Sequence, residues 1–539
     1  MTDSEAVSVT DYHDRTKHRF DAYARGPHTI DWDAQPDSFR RFEGAPLQTL
    51  PLLADDLILP FAALFDTVPV APLPLQLDGV AMLLEISLAL SAWKQFGAAR
   101  WSLRCNPSSG NLHPTEAYLI TQGISGLADG LHHYRADVHG LELRCTFPAE
   151  PVTEPLLLLG LSSVHWREAW KYGERAFRYC QHDVGHALAG VSYAAAVLGW
   201  RVQPLFAVGD DALAHLLGLD RAGEFVEEEG EHPDLLLAIH PGSGAVDLDA
   251  LALLRGLQSR VDQGTWAGRA NVLDRRHFYR WPVIDAVTQA NHKPDLDAQV
   301  DTQPLQKLPP PIPSLCTESA SRLFRQRRSA QTFDGVTGMT APEFFRLLDH
   351  LLPRPGIAPW DTVPWAPRVH PVLFVHRVEG LAPGLYAFPR SEPGQTLLRT
   401  RLRKEFSWSA VASAPDHLPL FQLIAARTER TAMRLSCHQE IAGASAFSLG
   451  MLAEFDTHVH ATPWRYRELF WEAGVLGQVL YLEAEACGLR GTGIGCYFDD
   501  AVHEVLGITD HSLQSLYHFT IGGPVMDARL VSLPPYERR

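Results

Sequence analysis

Two stretches of the chain carry the apolar, alanine- and leucine-rich pattern of a buried helix, at Ala187–Leu198 and Val475–Cys487. A glycine follows each stretch, where helices often end in a left-handed residue. A short turn and a pair of aspartates come next in both places, and aspartate accepts hydrogen bonds from the free N–H groups of a first helical turn. The pattern therefore predicts the same helix–turn–helix unit twice.

Short β-rich runs bounded by turn residues predict strands. They lie at Ala117–Thr121, Leu235–Ile239, Val372–His376 and Leu516–Ile521. Helices and strands do not alternate strictly, as they would in a doubly wound parallel sheet. The pattern favours an α+β sandwich.

The repetition extends to individual residues. Arg178–Asp220, shifted by 289 positions, coincides without a gap with Arg467–Thr509. Matching residues include Gly185 with Gly474, Gly199 with Gly488, Arg201 with Arg490, and Asp210–Ala212 with Asp499–Ala501. Two such copies in one chain are expected to pair like a fused dimer. A site at their interface can then be built from both halves while its symmetry mate decays.

A proline-rich segment separates the copies. Gln299–Ser319 contains Pro304 and the run Pro309–Pro313, a composition that favours an extended, semi-rigid strap. With 539 residues, the chain exceeds the ~250–300 at which a single core stops growing. We predict one domain at 1–260, a connecting strap at 261–320 and a second domain at 321–539. Asp274–Lys293 is expected to form a short helix within the connection.

Charge and composition exclude several classes of function. The formal net charge of −16 opposes binding to nucleic acid and to anionic lipid. No apolar run reaches the ~18 residues of a membrane span, and the N-terminus lacks the pattern of a signal peptide. The seven cysteines are scattered without a Cys-x-x-Cys pair, which suits a reducing compartment. We expect a cytoplasmic protein without nucleic-acid or membrane partners.

The sharpest polar motif is Asn106–Pro114, with the sequence Asn-Pro-Ser-Ser-Gly-Asn-Leu-His-Pro. Pro107 and Gly110 predict a turn. Its short side chains, which offer donors and acceptors at close range, are Ser108, Ser109 and Asn111. Such a turn can hold the polar edge of a flat heterocycle or a ribityl chain. The alternative is an ordinary polar turn at the surface.

A basic cluster, Arg325–Phe333, precedes the helix expected from Ala341. Its three guanidinium groups and a hydroxyl can make the charge-assisted, often bidentate bonds that a phosphate requires. The alternative is a solvated basic face. A similar run, Arg15–Phe20, precedes the first module, and this recurrence in both halves favours a function.

Two further motifs allow more than one interpretation. Gly491–Gly495 looks like a dinucleotide fingerprint but follows a predicted helix instead of a strand. We interpret it as a loop whose backbone can approach a planar ligand because it lacks Cβ atoms. The first copy has Val202–Phe206 there, which is bulky. His182 and His186 have a spacing that zinc could use, but no third ligand is evident, so ordinary helix histidines are favoured and no metal is predicted.

In this combination and order, the motifs resemble those of the nitroreductase superfamily. More narrowly, the chain resembles the SagB/ThcOx-type branch of azoline dehydrogenases, in a tandem two-domain form. The resemblance rests on the basic run that precedes each module, the polar turn Asn106–Pro114 and the glycine run Gly491–Gly495. It also rests on Glu472-Ala-Gly474 with its helix to Gly488, and on Ile521–Pro524 followed by Arg529. It covers most of the chain except the strap and residues 48–74. It implies an α+β fold of two tandem nitroreductase-like domains that form an intramolecular pseudo-dimer with FMN at the interface.

The resemblance also implies roles for individual residues. Arg327, Arg328 and Ser329 would hold the ribityl phosphate. Arg529 would assist, and Gln331 stands where the family usually has a second basic residue. The other residues expected at the flavin are Pro107, Ser108, Ser109, Asn111, Glu472, Gly474, Gly493 and Gly495.

Lys171 and Tyr172 match a Lys-Tyr pair that this branch uses in substrate deprotonation; the alternative for Lys171 is a surface lysine. The implied activity is FMN-dependent dehydrogenation of an azoline-like or other small C–N substrate, free or peptide-borne, with O₂ regenerating the flavin. One alternative is an NAD(P)H-dependent reductase of nitro compounds or quinones. Another is a non-catalytic scaffold of a peptide-modifying complex that has lost its flavin.

The fused dimer would contain a second, pseudosymmetric site. Trp365–Arg368 and Val202–Phe206 replace the Ser-Asn turn and the glycine run there, and Arg15, Lys17 and Arg19 would supply its basic cluster. An added ring fills the space of the isoalloxazine, and proline removes an N–H donor. We therefore expect one functional flavin per chain, although the basic cluster could still bind a phosphate.

Overall fold

The computed structural model describes residues 7–66, 68–152, 154–242, 250–296 and 307–536. Its helices are α1 Val9–Arg15, α2 Leu77–Ser87, α3 His165–Tyr172, α4 Ala176–Val197, α5 Asp210–Leu217, α6 Ala250–Gln263, α7 Pro282–Ala290, α8 Ala320–Gln326, α9 Ala341–His350, α10 Glu392–Arg401, α11 Glu429–Leu435, α12 Glu440–Ala444, α13 Asp456–Val459, α14 Tyr466–Ala486 and α15 Asp499–Leu506. None of these helices combines the length and apolar content needed to cross a bilayer.

The strands in the same described ranges are β1 Phe42–Glu43, β2 Leu47–Thr49, β3 Leu90–Phe96, β4 Ala99–Arg104, β5 Thr115–Gln122, β6 Gly130–Arg135, β7 Gly140–Thr146, β8 Leu156–Val164, β9 Trp200–Pro204, β10 Glu231–Pro241, β11 Thr265–Trp266, β12 Arg269–Ala270, β13 Val369–Val375, β14 Gly384–Ala387, β15 Ser409–Ala410, β16 Phe421–Ala425, β17 Phe447–Glu454, β18 Arg490–Ile494, β19 Leu513–Gly522 and β20 Val531–Leu533. The four strands predicted from the sequence form parts of β5, β10, β13 and β19.

Each half is built on one antiparallel sheet, and the two main sheets have the same strand order. The order is β7-β6-β5-β8-β10-β9 in the first half and β16-β14-β13-β17-β19-β18 in the second. β11 and β2 extend the first sheet beside β7, and β15 extends the second beside β16. The α+β class predicted from the sequence is therefore confirmed, in two copies.

The central helices α4 and α14 pack against each other and are buried along almost their whole length. They are the two predicted apolar helices, but each begins about a dozen residues earlier, at Ala176 and Tyr466. The sequence pattern missed these first turns because they carry polar side chains such as Gln181 and Glu472. Those side chains are buried here by the partner helix or by the adjoining sheet.

Equivalent ion pairs join the two halves in both directions. Arg178 Nη2 lies 2.8 Å from Asp499 Oδ1, and Arg467 Nη2 lies 2.9 Å from Asp210 Oδ1. Both members of one pair correspond to the members of the other by the same shift of 289 positions. An interface that repeats its contacts in this way has the two-fold pseudosymmetry of a dimer, which confirms the intramolecular pseudo-dimer.

The leading helices α1 and α7 dock in equivalent ways, each on the opposite half. After α1, the His18 N–H donates to the Asp499 carboxylate at 2.9 Å, and the Asp499 N–H donates to His18 O. After α7, the Lys293 N–H donates to the Asp210 carboxylate at 3.0 Å, and the Asp210 N–H donates to Lys293 O. The helix expected within Asp274–Lys293 thus forms, as the counterpart of α1.

This equivalence corrects one sequence interpretation. The basic run Arg15–Phe20 is not the counterpart of Arg325–Phe333, because its structural equivalent follows α7. Its cations are engaged in ion pairs: Arg15 with Glu174, Lys17 with Asp14 and Asp500, and Arg19 with Asp500. The two runs share a basic composition but not a position. Residues 297–306, including Pro304 of the predicted strap, lie outside the described residues.

Candidate functional site

A cavity of about 440 Å³ lies where the two halves meet. Its volume falls within the range of small-molecule sites, roughly 300–1,000 Å³. The residues predicted for the site that line it are Pro107, Ser108, Ser109, Asn111, Tyr172, Arg327, Arg328, Ser329, Gln331, Gly493 and Gly495. The structure therefore brings together the polar turn of the first half and the basic cluster of the second.

Internal hydrogen bonds fix the polar turn. Ser108 Oγ accepts the His113 N–H at 2.8 Å, and Asn111 Nδ2 donates to Ser102 O at 2.8 Å. Gly110 and Asn111 both have left-handed backbone conformations, with φ of 59° and 60°. Asparagine and glycine tolerate this region best, so the residue types explain the shape of the turn.

Five cationic side chains line the cavity: Lys94, Arg104, Arg327, Arg328 and Arg490. Burial, together with the charge of Arg327, lowers the pKa of Arg328 to about 10. Burial and the neighbouring Arg328 and Arg490 also lower the pKa of Lys94. These shifts indicate cations that lack sufficient counter-charge.

The guanidinium group of Arg327 makes fewer hydrogen bonds than it can donate. Arg327 is 4% exposed, lies over the Tyr481 ring at 4.8 Å, and donates from Nε and Nη2 to the carbonyl oxygens of Cys105 and Arg104. Its Nη1 is buried without a hydrogen-bond partner among the described residues. A buried, unpaired guanidinium donor is costly, and an anion in the cavity would satisfy it.

The glycine run is mainly a strand and not the predicted loop. Arg490–Ile494 forms β18 and pairs with β19. A Cβ on Gly493 would overlap the Tyr517 hydroxyl, and a Cβ on Gly495 would overlap the Tyr179 ring. The missing side chains therefore accommodate two tyrosines of the cavity wall. The direct approach of these glycines to a planar ligand stays a prediction, and both line the cavity.

Lys171 and Tyr172 end α3 beside the polar turn. A Cβ on Gly110 would lie 2.5 Å from Tyr172 Oη and 3.1 Å from Lys171 Nζ. Burial lowers the pKa of Lys171, opposed by the charge of Glu168, and burial raises the pKa of Tyr172. Tyr172 lines the cavity, and Lys171 lies next to it at the turn.

Glu472 and Gly474 lie elsewhere, contrary to their assignment to the flavin. Glu472 pairs with Arg390 and accepts the Trp365 Nε1–H and the Arg368 N–H, each at 3.1 Å. Gly474 packs against Gly185. The contacts of Glu472 lie within the second half, whereas that of Gly474 joins α14 to α4 of the first half.

The helix carboxylate at the cavity is Asp183, which the sequence analysis did not single out. It is 2% exposed and accepts hydrogen bonds from the N–H and hydroxyl of Ser109, at 3.1 and 3.2 Å. Burial raises the pKa of Asp183 to about 7, against the hydrogen bonds from Ser108 and Ser109. The shift of 289 positions pairs Asp183 with Glu472, and that match was the signal that could have identified it.

Arg529 does not line the cavity. It lies in an exposed turn and pairs with Asp527 at 2.8 Å, and Asp527 is itself a lining residue. The carboxylate of Asp527 neutralises the positive charge of Arg529, which was expected to assist in binding a phosphate. The assisting role of Arg529 is not supported by this position.

The histidine pair of α4 is used in packing between the helices. His186 contacts Tyr517 Oη at 3.1 Å and Gln478 Oε1 at 3.3 Å, and His182 stacks on the Tyr517 ring. Within the described ranges, no group of three or more histidine, cysteine, aspartate or glutamate side chains is arranged to hold a metal ion.

Protein side chains fill the pseudosymmetric counterpart of the cavity. Trp365 and Phe206 are both buried and meet edge to face, with ring centroids 5.4 Å apart. The Trp365 indole donates to Glu472, whose charge is balanced by Arg390. The basic residues Arg15, Lys17 and Arg19 were expected here. Lys17 and Arg19 instead contact Asp500 at the start of α15, and Arg15 pairs with Glu174.

No protein-family model matches the chain, and no curated protein matches its sequence. Among solved structures, a candidate nitroreductase from Anabaena variabilis matches with a TM-score of 0.66 at 20% identity, over 96% of this chain and 99% of that one. A candidate nitroreductase from Ralstonia eutropha matches with a TM-score of 0.26 at 16% identity, over 38% and 82%. The microcin synthetase McbBCD complex of E. coli, with truncated pro-MccB17 bound, matches with a TM-score of 0.28 at 18% identity, over 43% and 79%. The first match spans both halves, and the chain thus has the nitroreductase fold, as two tandem domains that form an intramolecular pseudo-dimer.

Proposed function

We propose that this protein is an FMN-dependent oxidoreductase that binds one FMN in the cavity between its halves. The observation that carries the proposal is the buried, unpaired Nη1 of Arg327 within a cluster of cations. Guanidinium groups frequently bind phosphate in a bidentate manner. The residues present therefore fit the ribityl phosphate of a flavin.

Both halves would contribute to binding. Arg327, Arg328 and Ser329 would hold the phosphate, with Gln331 beside them. The polar turn, with Pro107, Ser108, Ser109 and Asn111, would bind from the first half. Tyr481 and Tyr517 supply aromatic surface in the same cavity. When bound, FMN supplies hydride transfer at its N5 atom.

The protein's own acid–base groups surround the polar turn. Lys171 has a lowered pKa and can accept a proton from a substrate C–H or N–H. Asp183, with a pKa of about 7, can hold or release a proton at neutral pH. Tyr172 and Asp183 both line the cavity, and the Tyr172 hydroxyl lies at the turn beside Gly110.

We infer dehydrogenation of an azoline-like or other small C–N ring, free or carried by a peptide, with O₂ as the final acceptor. The support is the position of Lys171 and Tyr172, because hydride loss from such a ring must be accompanied by proton removal. A reductase driven by NAD(P)H needs no such base.

A spectrum of the purified protein tests the flavin, and mass spectrometry of the heat-released ligand separates FMN from FAD. Anaerobic mixing with NADH or NADPH, followed by O₂ uptake with thiazoline and oxazoline peptides, tests the reaction. Bleaching by NAD(P)H with no azoline-dependent O₂ uptake would replace the dehydrogenase with a reductase. If the protein binds no flavin even after reconstitution with FMN, it is a non-catalytic scaffold and not an oxidoreductase.

A further inference from the structure

Two cysteines lie side by side at the edge of the cavity. Cys437 is in the turn between α11 and α12, and Cys496 follows β18 and lines the cavity. The Phe498 N–H donates to Leu435 O at 2.9 Å, and the Gln439 side chain donates to Cys496 O at 3.3 Å. These bonds join the two segments on either side of Cys437 and bring Cys437 next to Cys496.

The turn that carries Cys437 has an unusual backbone. Cys437 and His438 have φ of 52° and 61°. Residues other than glycine and asparagine adopt this region at a cost of order 1–3 kcal/mol, and such residues cluster at functional sites. The hydrogen bonds to Leu435 and Cys496 hold the turn in this conformation.

His18 lies beside the segment that carries Cys496, in a bridge with Phe498, and its tautomer is fixed. The Ala24 N–H donates to His18 Nδ1 at 2.9 Å, so Nδ1 is an acceptor and the ring proton lies on Nε2. Burial lowers the pKa of His18, which keeps the ring neutral. The remaining N–H of His18 is then a donor that can stabilise a thiolate, and His18 lowers the pKa of Cys496.

The surroundings favour a thiolate at Cys496. The hydrogen bond from Cys437 lowers its pKa most, followed by His18 and by the charge of Arg175, whereas burial opposes them; the resulting pKa is about 5. Arg175 approaches closely, donating to Gly495 O at 3.2 Å, and its charge is shared with Asp499. The remaining titratable neighbours are the tyrosines Tyr23, Tyr172 and Tyr179.

We propose that Cys437 and Cys496 are a redox-active thiol pair that closes to a disulfide at the edge of the cavity. The Cys496 thiolate attacks one sulfur of a small disulfide, such as oxidised glutathione, and releases one thiolate. Cys437 then loses its proton and attacks the Cys496 sulfur, which releases the second thiol. The pair loses two electrons and two protons, and the small disulfide becomes two thiols.

The disulfide would join the α11–α12 turn covalently to the segment after β18. Gly493 within β18 and Gly495 just after it line the cavity. The oxidation state of the pair therefore determines how firmly one wall of the cavity is fixed.

The test is oxidation of the full-length protein over a series of glutathione redox ratios under nitrogen. Remaining thiols are then blocked with N-ethylmaleimide, and the digested protein is examined by mass spectrometry. We expect a linked Cys437–Cys496 peptide pair that separates on reduction. Cys437→Ser should stop at a glutathione adduct on Cys496, and Cys496→Ser should give neither product. Cys316→Ser is the matched control, because Cys316 is also partly exposed but burial raises its pKa; this variant should still form the link.

Alkylation by iodoacetamide provides a second measurement. The rate of Cys496 labelling should already be near its plateau at pH 7. His18→Phe removes a donor and should move the midpoint of the labelling rate against pH to a higher pH. The proposal is overturned if no Cys437–Cys496 link forms at any glutathione ratio. It is equally overturned if Cys316 or Cys487 reacts before Cys496.

Discussion

Gly185 and Gly474 contact each other where α4 and α14 cross, one glycine from each half. A Cβ on Gly185 would lie 2.9 Å from Gly474 Cα, and a Cβ on Gly474 would lie 2.9 Å from Gly185 Cα. Each Cβ would also overlap a backbone carbonyl of the other helix, that of Trp471 or His182. These two carbonyls are equivalent under the same shift of 289 positions. The pseudo-two-fold axis therefore passes between the glycines, and the absence of two side chains permits the close approach.

Gly474→Ala should lower the free energy of unfolding by about 1–3 kcal/mol, because overpacking meets backbone atoms that cannot rotate away. Chemical denaturation measures this change. The matched control is Gly190→Ala on α4, where the nearest atom to a Cβ is Ser87 O at 3.7 Å. That variant should be neutral or gain up to ~1 kcal/mol of helix propensity. Equal losses in both variants would contradict the role of the crossing.

Arg328→Ala should weaken FMN binding by roughly 1.5–3 kcal/mol, the contribution of a hydrogen bond to a charged group. Fluorescence titration of the apoprotein measures the change in Kd. Arg322→Ala is the control, since Arg322 lies on α8 just before the basic cluster but its side chain is 68% exposed and outside the cavity. A Kd for Arg328→Ala equal to that of the control would exclude Arg328 from the phosphate site.

The protein should carry one FMN per chain, because Trp365 and Phe206 fill the second interface site and Arg390 neutralises Glu472 there. The measurement compares released FMN with protein concentration, after the protein has been saturated with FMN and desalted. Saturation ensures that a low ratio does not reflect loss during purification. A ratio near two would show that the second site is open.

Asp183→Asn should change how stability depends on pH. The folded pKa of Asp183, about 7, lies above that of an unfolded aspartate. The folded protein therefore retains a proton that the unfolded chain has lost, and stability falls as pH rises towards 7, then levels off. Relative to the variant, the wild type should lose roughly 1.4 kcal/mol per pH unit between pH 5 and 7. The two proteins differ in titratable groups only at Asp183. Parallel curves of unfolding free energy against pH would therefore show that Asp183 does not titrate in this range.

Lys171→Ala and Tyr172→Phe should lower turnover while the flavin stays bound, because both residues lie at the turn and not among the cations. Steady-state kinetics and the flavin spectrum separate the two effects. Lys404→Ala removes an exposed lysine far along the chain and should leave both unchanged. Full activity of both site variants would reduce the pair to a structural role.

The sequence repeat predicted the fused dimer, and the mixed pattern of helices and strands predicted the α+β class. The polar turn and the basic cluster, together with the family resemblance, predicted much of the cavity lining. It could not decide which of two equivalent helix carboxylates faces the cavity. That choice depends on distant residues: Ser109 provides donors for Asp183, whereas Trp365 and Arg390 engage Glu472. Only the folded chain brings these partners together.

Composition was also a poor guide to position. Gly491–Gly495 has the glycine spacing of a loop, yet most of it forms β18 because the tyrosines opposite need the space. Arg15–Phe20 is as basic as Arg325–Phe333, yet its charges face the aspartates that begin α15. In both cases the neighbours across the interface determine the role.

The docking of α1 also has a consequence for the order of events during synthesis. His18 and its partner Asp499 are 481 residues apart. At ~5–20 residues per second, a ribosome needs roughly 25–100 s to make that length. During this interval the first helix of the nascent chain has no second half on which to dock. The first domain waits likewise for α7 to cover Asp210. The two halves can therefore complete their folds only together, when almost the whole chain has been made.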